Sequence, residues 1–234
     1  MAETLIALFF AHVLADYGLQ WRWLATNKDR GWVLVLHVGI VAVATALAVG
    51  HLTAWPVYLL ALVHLLVDLA KSRLMPDGIV AHLGDQAAHL LTIVAIALVA
   101  PDLWATGFWA KTPPIVPQLM LIAAGAVYAS WAGQFVVATV LGSGLGADGL
   151  RPRGRMTGLA ERALVYGAIL IGQPLAAALV FAVKGLTGLR ARPEIGPARD
   201  RLILGTLASF AWAFAVALPV EALLSHLVGP APLP

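Results

Sequence analysis

The chain alternates apolar runs about 20 residues long with short polar loops. That run length matches the thickness a helix must cross in a bilayer. The runs are residues 4–23, 31–50, 55–74, 79–100, 118–141 and 202–227, with an interrupted segment at 158–184. In hydrocarbon every backbone N–H and C=O must be satisfied within the segment, so runs of this length fold as helices. The expected fold is therefore an all-α membrane protein, a polytopic helical bundle of six to seven transmembrane segments with one re-entrant. We read residues 1–234 as a single integral-membrane domain. Residues 1–101 form a four-helix half and residues 102–234 a C-terminal helical half.

Composition agrees. Hydrophobic residues make up 61% of the chain and charged residues 12%, with a mean hydropathy of +0.88. Soluble domains carry roughly 45–50% apolar and about 25% charged residues. The chain has no cysteine. Disulfides, thiolate metal sites and cysteine nucleophiles are thereby excluded. The N-terminal run lacks a basic leader, so no cleavable signal peptide is expected.

The net charge of +3 is concentrated in a few loops, so it speaks to membrane topology and not to nucleic acid. Arg22, Lys28 and Arg30 follow the first run, Lys71 and Arg73 close the third, and Arg151, Arg153 and Arg155 follow the fifth. The loops after the second and fourth runs carry only Lys111. Basic loops stay in the cytoplasm, which puts the N-terminus outside a bacterial inner membrane. Trp21, Trp23 and Trp32 are the expected interfacial anchors, and Trp104, Phe108 and Trp109 an interfacial aromatic patch. Both flanks of 158–184 are basic, so this segment either turns back at Gly172-Gln173-Pro174 as a hairpin, the favoured reading, or spans with the last basic loop breaking the rule.

Polar residues inside these runs point to function. His12 and Asp16, then His64 and Asp68, are four residues apart, and Asp85 and His89 repeat the spacing in reverse. Residues i and i+4 share one helix face. His37 adds a fourth imidazole. Such groups are costly in lipid unless they meet a partner, an ion or water. Imidazoles and carboxylates together suit a divalent ion such as Zn, Mn or Fe. The alternative is that they only hydrogen-bond one helix to another. Lys71 is one turn from Asp68 and is a candidate to neutralise it. Gln20 extends the His12–Asp16 stripe on a regular helix, and Gln86 adjoins Asp85. His51, His82 and His226 read as solvated surface. Glu161 and Arg162 read as the structural start of the interrupted segment. The glycine-rich stretch 142–146 lacks the strand and Lys-Ser/Thr of a phosphate loop.

These motifs resemble a family. H-V-L-A-D-Y-G-L-Q (residues 12–20), Asn27-Lys28, Leu36-His37, H-L-L-V-D-L-A-K (64–71) and D-Q-A-A-H (85–89) are similar to a bacterial inner-membrane family, domain of unknown function 3307. G-R-M-T-G-L-A-E-R (154–162), Ala182–Lys184 and L-I-L-G-T-L-A-S-F (202–210) resemble its C-terminal half. The resemblance implies a polytopic helical bundle and no assigned reaction.

The leading functional expectation is a membrane-embedded, metal-dependent hydrolase acting on a lipid-type substrate. His12, His37, His64, Asp68 and His89 would hold the metal, which lowers the pKa of bound water toward ~7. Asp16 or Asp85 would be the catalytic base, and Gln20, Lys71 and Gln86 would contact substrate. Membrane lipids are the expected partners, with a homo-oligomer or another membrane protein as further assemblies. A metal- or proton-linked transporter is the second expectation. A non-catalytic assembly subunit, with residues 104–109 as docking surface, is the third.

Overall fold

A computed structural model describes residues 1–76, 78–142, 152–191 and 196–228, and every regular element among them is helical. Arg151, Arg192, most of the glycine-rich stretch 142–146 and the tail 229–234 lie outside the described residues. Four helices are long and apolar enough to cross a membrane: Gly31–Val49, Ile79–Val99, Ile115–Val140 and Pro197–Leu227.

Helix α1 (Ala2–Val13) continues into a π-helical turn, Leu14–Gly18, closed by the Leu19 N–H on Leu14 O at 2.8 Å. The chain then leaves the helix, and a short α2 (Arg22–Thr26) follows. The first helical run thus stops at Gly18, not at residue 23. The wider turn also ends the 12–16–20 stripe, so Gln20 is not on α1. Helix α3 (Gly31–Val49) ends where Gly50 takes a left-handed φ of +80°. Helix α4 (Trp55–Leu74) begins with Pro56 in its first turn, where a missing N–H costs nothing. Helix α5 is Ile79–Val99. Helix α6 (Ile115–Val127) passes through a second π turn, Tyr128–Ala132, into α7 (Gly133–Val140). Helices α8 (Pro152–Leu170), α9 (Pro174–Ala191) and α10 (Pro197–Val228) complete the order.

The chain divides into two compact units, one of Met1–Pro76 with Val80–Ala124, the other of Asp77–Ile79 with Gly125–Pro234. In the first unit α1 packs on α3 and α3 on α4. The apolar core is asymmetric along these helices. It takes Ala7, Leu8 and Ala11 from α1, Val41, Ala44 and Val49 from α3, Val57 and Leu60 from α4, and Ile93 and Ile96 from α5. Alanines on α1 and α3 let the backbones approach closely, as small residues do between helices in lipid.

The loop after α5 closes the apolar end, which is why the first unit extends past residue 101. Thr4 Oγ1 donates to Pro101 O at 2.8 Å and accepts from the Trp104 N–H at 3.1 Å. Trp109 Nε1 donates to Leu47 O at 2.7 Å, and the Phe108 N–H donates to Gly50 O at 3.0 Å. A Cβ at Gly107 would stand 2.5 Å from Val49 O, so only glycine fits that approach. Trp104 is consequently buried, contrary to its expected place in an interfacial patch, whereas Phe108 and Trp109 stay exposed.

In the second unit α8 and α9 pack together, and α10 packs on α7, α8 and α9. Gly172 (φ +68°) ends α8. Its N–H donates to Ile169 O, the Gln173 N–H donates to Ala168 O, and Pro174 opens α9. That pair of bonds satisfies the last carbonyls of α8 and turns the chain back. Helix starts here differ from expectation. Arg153 and Arg155 lie on α8, Arg190 on α9, and Arg199 and Arg201 on α10, not in loops. Hydropathy marks the apolar part of a helix and misses charged turns that extend it. Glu161 and Arg162 are therefore mid-helix, and do not start a segment.

Candidate metal centre

The polar groups fall at one level because neighbouring helices run in opposite directions. His37 lies six residues after the start of α3, Asp85 six after the start of α5, and Asp68 six before the end of α4. Each is about 9 Å from its helix end at 1.5 Å per residue. His12 and Asp16 reach that level from the far end of α1 and its π turn. All seven sequence-derived groups are brought together. Each is at most 5% exposed apart from Asp16, at 9%.

Two triangles of donor atoms form the centre. They share one edge, His37 Nε2 to His64 Nε2, of 3.1 Å. Asp16 Oδ1 closes one triangle at 3.4 Å from His37 Nε2 and 3.6 Å from His64 Nε2. Asp68 Oδ2 closes the other at 3.5 and 3.6 Å. Ligand bonds of about 2.1 Å in tetrahedral geometry put neighbouring donors about 3.4 Å apart. Both triangles match that spacing.

The remaining groups stand behind these atoms. His12 Nδ1 is 3.7 Å from Asp16 Oδ2, the oxygen turned away from the triangle. His89 Nε2 is 3.7 Å from Asp68 Oδ1 and 3.5 Å from Asp85 Oδ1, and its ring stacks on His64 with centroids 4.1 Å apart. Gln86 Nε2 donates to Asp85 Oδ2 at 3.1 Å. Imidazoles and amides that orient ligand carboxylates are a common feature of metal sites.

Lysines differ most from expectation. Lys71 does not neutralise Asp68; it donates to Asp85 Oδ2 at 2.7 Å, across to α5. Lys28 takes Asp68 instead, at 2.8 Å. The sequence put Lys28 in a basic loop and, with Asn27, among the motifs of the resemblance, without a place at the cluster. The signal was the adjacent Asn27, whose side-chain amide donates to Trp23 O at 2.8 Å while the Arg30 N–H donates to Asn27 O at 3.0 Å. That compact turn brings Lys28 inward. His82, expected at a solvated surface, is buried at 7% exposure one turn before Asp85 and Gln86 on the same stripe of α5. Gln20 lies past the end of the π turn, half-buried, with Oε1 making no hydrogen bond among the described residues. His51 meets Thr106 Oγ1 at 3.0 Å, and His226 is exposed.

With neutral imidazoles, the three carboxylates and two ammonium groups leave the cluster with one net negative charge. A cation or a proton completes the balance. Among the described residues, sets of mutually close donors available to an ion include His12, Asp16 and His64; His37, His64 and Asp68; Asp68, Asp85 and His89. His64 and Asp68 each appear twice.

Fold and site together define an α-helical protein whose apolar core encloses a His/Asp cluster. Residues 4–110 match the family described as protein of unknown function (DUF3307), and this stretch is a domain of that family. It contains every cluster residue, with Lys28 and Lys71. No curated protein and no solved structure matches the chain.

Proposed function

We propose that the first unit is an intramembrane divalent-metal centre that hydrolyses an ester bond in a lipid-type substrate. The observation that carries this is the pair of donor triangles sharing the His37–His64 edge. Zn, Mn or Fe fits two imidazoles with one or two carboxylates. Our assignment makes His37, His64, Asp16 and Asp68 the ligands. His12 and His89 orient the carboxylates. A metal held by these four residues would supply acidified water and polarise the scissile bond. The Asp85–His89 pair accepts the proton that water gives up. Lys71 and Gln86 hold Asp85 in place, and Gln20 is left to contact the headgroup.

Depth favours hydrolysis over transport. Transporter sites lie near the bilayer midplane, whereas these groups lie about 9 Å from the helix ends beside the basic loops. An ester at headgroup level reaches that depth. An apolar groove of about 870 Å³ runs along α1 and α3, from Leu14 and Leu36 to Leu47 and Trp109. Leu36 to Leu47 spans about 17 Å of helix, enough for much of an acyl or isoprenoid chain.

The same reading takes the chain as a multi-pass protein of a bacterial inner membrane with its N-terminus outside. α1 with its π turn and α4 cross beside the four longer apolar helices, and α8–α9 re-enters with its tip at Gly172–Gln173. That gives six to seven membrane segments.

One observation favours a second reading, a metal or proton carrier. His12, Asp16, His37, His64, Asp68, His89 and Asp85 form an unbroken chain with steps of at most 3.7 Å. Metal-loaded protein in lipid nanodiscs tests the two. Hydrolysis predicts release of phosphate or fatty acid from ester lipids that needs added metal and falls at least 100-fold in Asp16→Asn. Absence of release from any phosphate or carboxylate ester, with metal-dependent ion flux in proteoliposomes, would replace hydrolase by carrier.

A further inference from the structure

The second unit contains a second polar site, built from different chemistry. A pocket of about 450 Å³ is lined by Arg155, Arg162, Lys184, Arg201, Thr206 and Ser209, with apolar wall from Val137, Leu141 and Leu202. Arg162 is 3% exposed in the middle of α8. Three of its N–H groups donate to neutral oxygens: Nε and Nη2 to Ser130 O at 3.0 and 2.8 Å, and Nη1 to Ser209 Oγ at 3.1 Å. The Ser130 carbonyl is in the π turn Tyr128–Ala132, where regular helix bonding is interrupted. Arg155 Nε donates to Gln134 Oε1 at 2.7 Å, and its guanidinium lies 5.3 Å from the Trp131 ring centre. Arg201 Nη1 donates to Leu141 O at 2.9 Å. Lys184 pairs with Glu161.

These contacts fix the cations without neutralising Arg155 or Arg162, whose hydrogen-bond partners among the described residues are uncharged. A buried charge is expensive unless paired. Helices α8 and α10 also begin at this pocket, through Gly154 and Arg155 on one and Ala198 and Arg201 on the other. Their N-terminal dipole ends add positive potential. Two glycines let the Arg162 side chain pass: a Cβ at Gly158 would stand 3.1 Å from Arg162 Nη1, and one at Gly133 would stand 2.6 Å from Arg162 Nε. The motifs G-R-M-T-G-L-A-E-R and G-T-L-A-S-F supply Gly154, Arg155, Gly158, Arg162, Gly205, Thr206 and Ser209, so both converge on this one cavity. Neither contributes to the His/Asp cluster.

We propose that this pocket binds a phosphate group, through Arg155, Arg162 and Arg201 with the Thr206 and Ser209 hydroxyls. Planar guanidinium groups match phosphate oxygens in pairs. The phosphate belongs either to a lipid headgroup, whose chain would follow the apolar wall, or to a free phosphorylated solute. This site stands independently of the metal reading.

The test is binding to the full-length protein in neutral-lipid nanodiscs. Inorganic phosphate is titrated in one arm, and phosphatidylglycerol replaces part of the neutral lipid in the other, with the unfolding midpoint as readout. The expected result is a saturable rise in midpoint that requires roughly tenfold more ligand in Arg155→Gln and in Arg201→Gln, from the loss of one charge-assisted bond. Gly154→Leu, which fills the pocket at a position with nothing within 4 Å of its Cβ, should abolish the rise without altering charge. Arg190→Gln, an exposed cation of α9 outside the pocket, should behave as the parent. Response to phosphate alone assigns a free phosphate, and response only to phosphatidylglycerol assigns a lipid headgroup. No response to either probe, or a response that survives Gly154→Leu, overturns the proposal.

Discussion

Lys28 is the residue on which the charge balance of the cluster turns. Its ammonium and that of Lys71 offset two of three buried carboxylates, and each is less than a third exposed. Removing one partner of such a pair leaves an uncompensated buried charge. Lys28→Met should therefore lower stability by about 1–3 kcal/mol, the scale of a hydrogen bond to a charged group. Thermal unfolding in detergent reads this, and Lys28→Arg should recover most of it. An unchanged midpoint in Lys28→Met would mean that Asp68 is balanced otherwise. Legibility at this scale divides by location. Three i,i+4 pairs inside apolar runs identified six of the seven cluster groups, and His37 stood out alone in a fourth run, because polar residues in apolar runs are conspicuous. Lys28 was obscured because a lysine in a loop is ordinary, and only a tertiary turn brings it inward. His82 was misjudged by its nearness to a helix end, although its spacing to Asp85 and Gln86 already put it on the buried stripe.

Helix boundaries depend on local backbone chemistry that hydropathy records poorly. α3, α4 and α5 were legible to within a residue, since Gly50, Pro56 and the Pro-Asp-Gly sequence after α4 punctuate them. The π turn at Leu14–Gly18 has no such mark, and it moved Gln20 off the expected stripe. The basic ends of α8, α9 and α10 read as loops because charge was equated with the absence of helix. Glycine contacts give the sharpest test of an element. Gly107→Ala would push a methyl against Val49 O and Gly50 O, at 2.5 and 3.0 Å, where backbone must move. We expect about 1–3 kcal/mol of destabilisation and faster proteolysis within residues 101–112. A variant as stable and protease-resistant as the parent would contradict the packing of that loop against the end of α3.

On the scale of the whole molecule, the proposed orientation rests on alternating basic and neutral loops. Trp21, Trp23 and Trp32 are exposed at the basic end of the first unit, and Trp55, Phe108 and Trp109 at its other end. Amphipathic rings at both ends suit two membrane interfaces. The absence of cysteine makes topology simple to test. In spheroplasts an impermeant thiol reagent should label Lys111→Cys and spare Asp29→Cys until the membrane is broken. The reverse pattern would invert the orientation. The division into two units was only partly legible. Residues 101–124 stay with the first because Thr4, Gly50 and Leu47 bind the loop, contacts of long sequence separation that no local pattern encodes.

Everything proposed for the first unit rests on His37, His64, Asp16 and Asp68 binding a divalent metal. The direct measurement is elemental mass spectrometry on protein purified without chelator and re-supplied with Zn, Mn and Fe, beside His64→Ala, which removes one of the two atoms common to both triangles. Near-stoichiometric metal in the parent, lost from a variant that keeps its helical circular dichroism, is the expected result. A metal-free parent after re-supply, or a His64→Ala protein that retains full metal, would contradict it.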